Sequence, residues 1–160
     1  MKTKFLYLIA IPLMLVSCHH GTGVNPDEGK QDSVPAYDSV LAKKLGASEN
    51  GMAEYVMAFL KRGPNRSPDS TVRAELQKAH MANINRLARE GKLVLAGPFM
   101  DNGDLRGIYI FNVKTVEEAR LLTESDPAIK AGSLVMELHP WFGSAALKEV
   151  NQIHRRISRH

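Results

Sequence analysis

Cysteine is almost absent from this chain, which has 160 residues and a single cysteine, Cys18. One cysteine excludes an intramolecular disulfide and the paired Cys-x-x-Cys motifs of zinc ribbons and thiol redox sites. A glycine-rich phosphate loop, a histidine-rich metal motif and a Gly-x-Ser-x-Gly nucleophile elbow are also missing. We therefore expect neither a metal nor a cofactor, and we expect no serine or cysteine nucleophile.

The N-terminus lacks an apolar run long enough to cross a membrane. The run Phe5–Val16 has 12 residues and follows Lys2 and Lys4, whereas a spanning helix needs about 20 residues. A basic start and a short apolar run are typical of a secretory signal peptide. The run leads into "LVSC", which resembles the lipobox of bacterial lipoproteins, in which the cysteine is acylated and becomes the mature N-terminus. The alternative is an ordinary signal peptide with a coincidental cysteine.

A strong excess of one charge is missing too. The formal net charge is +4, and removal of residues 1–17, with two lysines and no acid, would lower it to +2. A chain this close to neutral lacks the basic patch of a nucleic-acid-binding protein, so we expect no nucleic-acid partner. We expect an exported bacterial lipoprotein, held through acyl chains on Cys18 at the cell membrane or at the outer membrane facing the periplasm.

Composition divides the chain into four segments. Residues 1–18 are the predicted signal peptide and lipobox, and residues 19–50 are a predicted flexible tether, rich in Gly, Pro, Asp and Ser, with one short helix ending at Gly46. Residues 51–143 carry the alternating strand and helix signals of a compact domain. Residues 144–160 predict a basic amphipathic helix, which either packs on the domain or its dimer mate or lies on anionic lipid.

The order of elements within residues 51–143 is β-α-β-β-α-β. A long helix is predicted to start with Ser67 as its N-cap and to end at Gly91. The Asn102-Gly103 pair predicts a hairpin between the second and third strands. This order is typical of the ferredoxin-like arrangement of the α+β class, in which two helices cover one face of a four-stranded antiparallel sheet.

Both faces of this sheet are expected to be buried. The strand segments "LVLA" and "IYIF" are apolar at successive positions, whereas a sheet with one solvated face alternates apolar and polar residues. Two helices cover only one face. The second face must therefore meet a second chain, the C-terminal segment or a ligand cavity, and we expect a homodimer that pairs the sheets face to face.

Five segments resemble the YCII-related domain family, in this order along the chain: "KRGPN", "AHMANINRLAREGKLVLAGPF", "GDLRGIYIF", "VEEARLLTESDPAIKAG" and "ELHPW". The resemblance covers about residues 53–143. It implies a ferredoxin-like fold that pairs into a dimeric α+β barrel, and an active site built around a histidine of the first helix and an aspartate before a proline. Those positions are His80 and Asp126 in this sequence. A few members of the family are linked to small aromatic or lactone chemistry.

The spacing of the long helix places His80 inside an apolar stripe. At 100° per residue, five positions fall within a sector of about 80°: Val72, Leu76, His80, Asn83 and Leu87. The imidazole therefore points toward the sheet and needs a hydrogen-bond partner. From the residues alone, a backbone carbonyl satisfies it as well as a functional group does.

The resemblance favours Asp126 as that partner. Its carboxylate would cap a helical turn with one oxygen and orient the imidazole of His80 with the other. His80 would then act as a general acid or base in proton transfer on a small molecule, as in an isomerase or a lyase. The alternative is a binding or envelope scaffold protein without catalytic activity.

Four further residues are candidates for substrate binding. Gly97 lies where the backbone approaches a ligand or where the strand simply ends, and Arg106, at a strand end, is suited to an anionic substrate. Glu137 and His139 share one face of the last strand and are expected toward the barrel interior or the dimer seam. Two ligands are too few for a metal site, so an interface or hydrogen-bonding role is favoured for this pair.

Overall fold

Residues 36–159 are described by the computed structural model of the protein. The predicted signal peptide, with Cys18, and most of the predicted tether lie outside these residues. The elements in chain order are α1 (Ser39–Leu45), β1 (Met52–Arg62), α2 (Ser70–Arg89), β2 (Leu93–Pro98), β3 (Leu105–Phe111), α3 (Val116–Glu124), α4 (Pro127–Lys130), β4 (Leu134–Ser144), a 3-10 turn (Ala145–Glu149) and α5 (Val150–Ile157).

The four strands form one antiparallel sheet in the order β2-β3-β1-β4. β1 lies inside the sheet and pairs with β3 on one side and with β4 on the other. The two long connections, from β1 to β2 through α2 and from β3 to β4 through α3 and α4, cross the same face of the sheet. The predicted α+β, ferredoxin-like fold class is confirmed.

The main core lies between the sheet and its helices. Alternate residues of β1 face α2 and α3, because successive side chains of a strand point to opposite faces. Leu87 of α2 is 1% exposed and packs into this core; burying a leucine side chain contributes about 1.5–3 kcal/mol. The core consists of Val56, Ala58, Leu60, Leu87, Leu93, Tyr109, Phe111, Val113 and Ala119.

The start of α2 differs from the prediction. The N-cap is Asp69, not Ser67, and its carboxylate accepts the backbone N–H of Thr71 at 2.8 Å. A carboxylate at the N-cap also interacts favourably with the positive end of the helix dipole. Ser67 instead accepts a hydrogen bond from the Asp69 backbone N–H at 3.2 Å, one turn before the helix. The predicted end is confirmed, since Gly91 follows α2 with a left-handed φ of 69°.

The predicted hairpin between β2 and β3 forms, but its turn is not the tight one that Asn102-Gly103 indicates. The connection spans residues 99–104, and Gly103 does not have the positive φ of a type I′ turn. The Asp101 side chain accepts the Gly103 backbone N–H at 3.2 Å, which stabilises the wider loop. A wider loop, stabilised by a side-chain hydrogen bond, thus takes the place of the two-residue turn.

The segments that flank the domain pack together over one end of the second sheet face. Lys44 of α1 forms an ion pair with Glu149 at 2.9 Å, and the Lys148 ammonium donates to the Leu45 carbonyl at 2.7 Å. The Asn151 side chain donates to the Leu93 carbonyl at 2.7 Å. These contacts place α1 and the C-terminal segment in one compact unit that begins at Tyr37.

The other end of the second sheet face stays open in the isolated chain. Phe59 and Ile108 are only partly buried there, and Val135 is 46% exposed. Glu137 and His139 lie on the same open area, in contact with each other and with Lys61. The expectation that two helices cover only one face is therefore met, and the C-terminal segment covers part of the other.

Helix α5 presents apolar side chains to solvent. None of its residues is buried, and Ile153 and Ile157 are 52% and 76% exposed. It is amphipathic and basic, as predicted, but it packs on the domain through its first turn only, with Asn151 bonded to β2. Within residues 36–159, no helix is both long and apolar enough to cross a membrane.

Candidate active site

His80 lies on the buried face of α2 and is 7% exposed. Its Nδ1 atom lies 2.8 Å from Oδ2 and 3.0 Å from Oδ1 of Asp126. A bare ring nitrogen facing a carboxylate would be repelled, so Nδ1 carries the proton and donates a hydrogen bond to Asp126. This hydrogen bond fixes the tautomer and leaves Nε2 as a hydrogen-bond acceptor.

Asp126 is fully buried and is the N-cap of α4, with Pro127 at the first helical position. Its Oδ1 atom accepts the backbone N–H of Ala128 at 2.8 Å, and its Oδ2 atom accepts the side-chain N–H of Asn83 at 3.2 Å. The capping role and the histidine contact that the sequence suggests therefore coexist on one carboxylate.

The electrostatics of Asp126 favour its ionised form. Burial by itself raises the pKa of Asp126, but the hydrogen bond from His80, the positive charge of that ring when it is protonated, and the N–H donors of Ala128 and Asn83 hold the pKa below its ordinary value. The carboxylate is therefore ionised at neutral pH. It is positioned to stabilise an imidazolium whenever His80 takes up a proton.

Asn83 is the second polar residue in the apolar stripe of α2, and its hydrogen bonds explain why it is there. Its amide N–H donates to Asp126, and its Oδ1 atom accepts from Arg86 at 2.8 Å. Arg86 in turn donates to the Ser125 hydroxyl at 3.0 Å and to the Glu90 carboxylate at 2.9 Å. Within the described chain, no buried side-chain nitrogen or oxygen lacks a partner. Asp126 is therefore held from two sides by a satisfied polar network.

Tyr109 of β3 completes the site. Its hydroxyl lies 3.3 Å from Nε2 of His80, and the two rings are stacked with centroids 6.3 Å apart. Because Nε2 is unprotonated, the phenol donates this hydrogen bond. The distance is longer than the roughly 2.7–2.8 Å usual for a hydroxyl donor, so a ligand can compete for either atom.

The phenol of Tyr109 stays protonated at neutral pH. Burial raises the pKa of Tyr109, and the negative charge of Asp126 raises it further. Sequence reasoning did not single this residue out. The available signal was the alternation of "GIYIF", which puts Tyr109 and Phe111 on one face of the strand and so under the helix that carries His80.

His80 and Tyr109 both line a cavity of about 950 Å³. This volume lies within the roughly 300–1,000 Å³ usual for small-molecule sites. The walls come from α2, from the connection between β1 and α2, from the β2-β3 hairpin and from the segment between α4 and β4. Apolar side chains form much of the wall: Leu60, Val72, Leu76, Met81, Ile84 and Leu134.

This cavity corrects the prediction that the whole stripe of α2 packs on the sheet. Leu87, Asn83 and His80 are buried, whereas Leu76 is only partly buried and Val72 is 51% exposed. Both of these residues line the cavity. The C-terminal half of the helix therefore belongs to the core, and its N-terminal half forms a cavity wall.

The other predicted site residues divide into two groups. Gly97 and Arg106 line the cavity with His80. Glu137 and His139 do not, because they lie on the opposite face of the sheet. There His139 Nε2 lies 2.8 Å from Glu137 Oε1, and the hydrogen bond from Lys61, followed by that from His139, lowers the pKa of Glu137.

The part of the chain that the structure describes contains no cluster of side chains suited to bind a metal ion. No group of three or more His, Cys, Asp or Glu side chains lies close enough there to hold an ion. Glu137 and His139 supply two donors, and Lys61 bonds to the same carboxylate. This arrangement fits the hydrogen-bonding role predicted for the pair.

Among solved structures, the chain is similar to 5-chloro-2-hydroxyhydroquinone dehydrochlorinase from Burkholderia phenoliruptrix AC1100, in complex with 2,5-dihydroxybenzoquinone. The two sequences are 23% identical, the match covers 54% of this chain and 92% of that chain, and the TM-score is 0.41. No curated protein sequence matches the chain. The sequence model of the YCII-related domain matches residues 54–141, and the chain therefore belongs to the YCII-related domain family.

Proposed function

We propose that this protein is a small-molecule enzyme that transfers protons through His80, with isomerase- or lyase-like chemistry. One observation carries the proposal: an imidazole oriented by a buried, ionised carboxylate lines a cavity of about 950 Å³. A histidine that served only packing would need a partner but no cavity.

Three residues of the site have different roles in the proposed chemistry. Nε2 of His80 takes a proton from an acidic C–H of the substrate, and Asp126 stabilises the imidazolium that forms. Tyr109, held protonated, is placed to donate a hydrogen bond to the oxygen on which negative charge develops. The same proton, returned to another atom, completes an isomerisation. In an elimination an anionic leaving group departs with the electron pair of its bond, and His80 then releases the proton to solvent.

Acyl transfer is less well supported by the same geometry. A nucleophile needs a base within hydrogen-bond reach. Ser67 and Ser133 line the cavity, but the described hydrogen bonds of the His80 ring go to Asp126 and Tyr109 only. The group on Nε2 is thus a phenol rather than a serine or a cysteine.

A binding protein without activity is the second candidate. It is favoured by the capping role of Asp126 and by the contact of Tyr109 with Nε2, because together they satisfy every polar atom of the pair without a ligand. In that case the cavity would bind a ligand and leave it unchanged.

A ligand screen followed by product analysis separates the two candidates. Ring-sized organic compounds are screened by thermal shift against the full-length protein, and each hit is then incubated with wild type and with His80→Ala and followed by NMR. Conversion of at least one hit by the wild type, with binding but no conversion by the variant, supports the enzyme. Binding without conversion by either protein contradicts it.

We also propose that the domain is anchored to a bacterial membrane through acyl chains on Cys18. The support is the basic start, the short apolar run and the "LVSC" segment at the N-terminus. Two or more acyl chains are enough for stable anchoring. The enzyme would then act at an envelope surface rather than free in solution.

A homodimer is the third part of the proposal. Its support is the open end of the second sheet face, where Phe59, Ile108 and Val135 are incompletely buried. A second copy placed face to face would bury the same residues of both chains, as a two-fold interface requires.

A further inference from the structure

The cavity beside His80 is lined by positive charge only. Arg66, Arg73 and Arg106 are among its lining residues, and no aspartate or glutamate is. They come from three different elements: the connection after β1, the first turns of α2, and β3. The asymmetry is therefore a property of the cavity and not of one basic segment.

None of the three arginines is neutralised by a carboxylate within residues 36–159, where the ion pairs involve other basic side chains. Arg73 donates to the backbone carbonyls of Ser67 and Pro68, at 3.0 and 2.6 Å. Arg106 donates to the carbonyl of Gly103 at 3.2 Å. These bonds hold the side chains in place through Nη1 and leave the charge of each guanidinium uncompensated.

Arg66 is the least constrained of the three. It is exposed, and no hydrogen bond from its guanidinium to another described residue is formed. A guanidinium carries five N–H donors and binds carboxylates or similar planar oxyanions in pairs of hydrogen bonds. Arg66 is therefore the arginine best placed to move onto a ligand.

Part of the remaining wall is apolar. Leu60, Leu76, Ile84 and Leu134 line the same space as His80, together with the polar side chains of Asn65, Ser67, Gln77 and Ser133. A small organic anion can therefore place its charge near the arginines and an apolar body against the leucines.

We propose that the cavity binds a small organic anion with an apolar body, such as a carboxylate. Its charged group lies among the three arginines and its apolar body lies along the leucines. This assignment rests on the proposed function for one point only, that an acidic C–H of the ligand then faces His80. Proton removal from an anion concentrates negative charge, which the arginines offset.

The test compares two probes that differ in charge but hardly in size, salicylate and salicylamide. Their affinities for the full-length protein are measured by isothermal titration calorimetry at neutral pH and low salt. We expect salicylate to bind at least about tenfold more tightly, because only its carboxylate forms charge-assisted hydrogen bonds with the guanidinium groups. We expect Arg66→Gln and Arg106→Gln to reduce this preference severalfold.

Arg155→Gln is the matched control, because Arg155 lies on α5 and does not line the cavity; it should keep the full preference. Equal binding of the two probes, tighter binding of salicylamide, no binding of either, or an equal loss in the control variant would overturn the proposal. Repeating the titration on His80→Ala separates this failure from that of the proposed function. Preference for the anion should persist in that variant, whereas conversion of screening hits should not.

Discussion

His80 and Asp126 are 46 positions apart in the sequence, yet Nδ1 of the histidine lies 2.8 Å from a carboxylate oxygen of the aspartate. The contact joins the middle of α2 to the N-cap residue of α4. It is made in the protein interior, where each group would be costly without the other. The pair therefore shapes stability as well as chemistry.

Removal of His80 should change how stability depends on pH. In the wild type the pKa of Asp126 is lowered, so its ionisation contributes stability that is complete above the ordinary aspartate pKa and is lost as pH falls below about 4. At neutral pH we expect His80→Ala to cost about 2–5 kcal/mol of unfolding free energy. The difference from wild type should shrink on acidification, because a protonated Asp126 no longer needs the imidazole. Urea unfolding over a pH series measures both quantities.

His154→Ala serves as the control for this experiment. His154 is exposed on α5, so its removal should have little effect at any pH. A gap between wild type and His80→Ala that is the same at neutral and acidic pH would show that the hydrogen bond to the ionised Asp126 contributes nothing to the loss.

The backbone beside the cavity should tolerate a methyl group at Gly97 but not at Gly63. A Cβ at Gly63 would overlap the carbonyl of Gly132 in the neighbouring connection, whereas a Cβ at Gly97 would meet no atom within 4 Å. We expect Gly63→Ala to lower the free energy of unfolding by about 1–3 kcal/mol and Gly97→Ala to change it by less than about 0.5 kcal/mol. Chemical denaturation compares them directly. Equal losses in the two variants would mean that the packing around Gly63 is not as the structure has it.

The sequence predicted the fold better than it predicted the cavity. Strand and helix order follow from local signals, such as Gly91 after α2 and the Thr115 cap of α3, which depend on nearby residues only. His80 was identifiable because it interrupts an apolar stripe. Its pairing with Asp126 is a contact distant in sequence, and only the family resemblance suggested it.

The remaining features depend on tertiary packing that no local pattern reports. The hydroxyl of Tyr109 contacts His80 because the helix that carries His80 lies over β3. Val72 and Leu76 line the cavity and are incompletely buried, whereas periodicity alone predicts continued burial. Glu137 and His139 are separate from the cavity because of the face of β4 on which they lie. The alternation of residues in β4 correctly predicted that the two share a face. It did not show how that face is oriented relative to His80.

The open end of the second sheet face should be a dimer interface. We expect light scattering to give the mass of a dimer at micromolar concentration, and Val135→Asp to give a monomer, because a buried unpaired charge opposes association. Leu121→Asp is the matched control, since Leu121 is 69% exposed on α3, on the helix side of the sheet. A wild-type monomer, or a dimer that Leu121→Asp disrupts equally, would remove this face as the interface.

Membrane anchoring should depend on Cys18. In cells producing the full-length protein, globomycin should cause an unprocessed precursor to accumulate, and labelled palmitate should be incorporated into wild type but not into Cys18→Ser. Both effects follow from acylation before cleavage at a lipobox. Normal processing in the presence of globomycin would exclude lipidation.

The most direct test of proton transfer by His80 is deuterium exchange from D₂O into activated C–H positions of small carbon acids. A panel of 1,3-dicarbonyl compounds, lactones and cyclic enones bearing a carboxylate is incubated with the full-length protein and followed by proton NMR. We expect exchange above background for at least one compound with the wild type, and a loss of about 100-fold or more with His80→Ala. No exchange by the wild type, or undiminished exchange by the variant, would contradict general acid–base catalysis by His80.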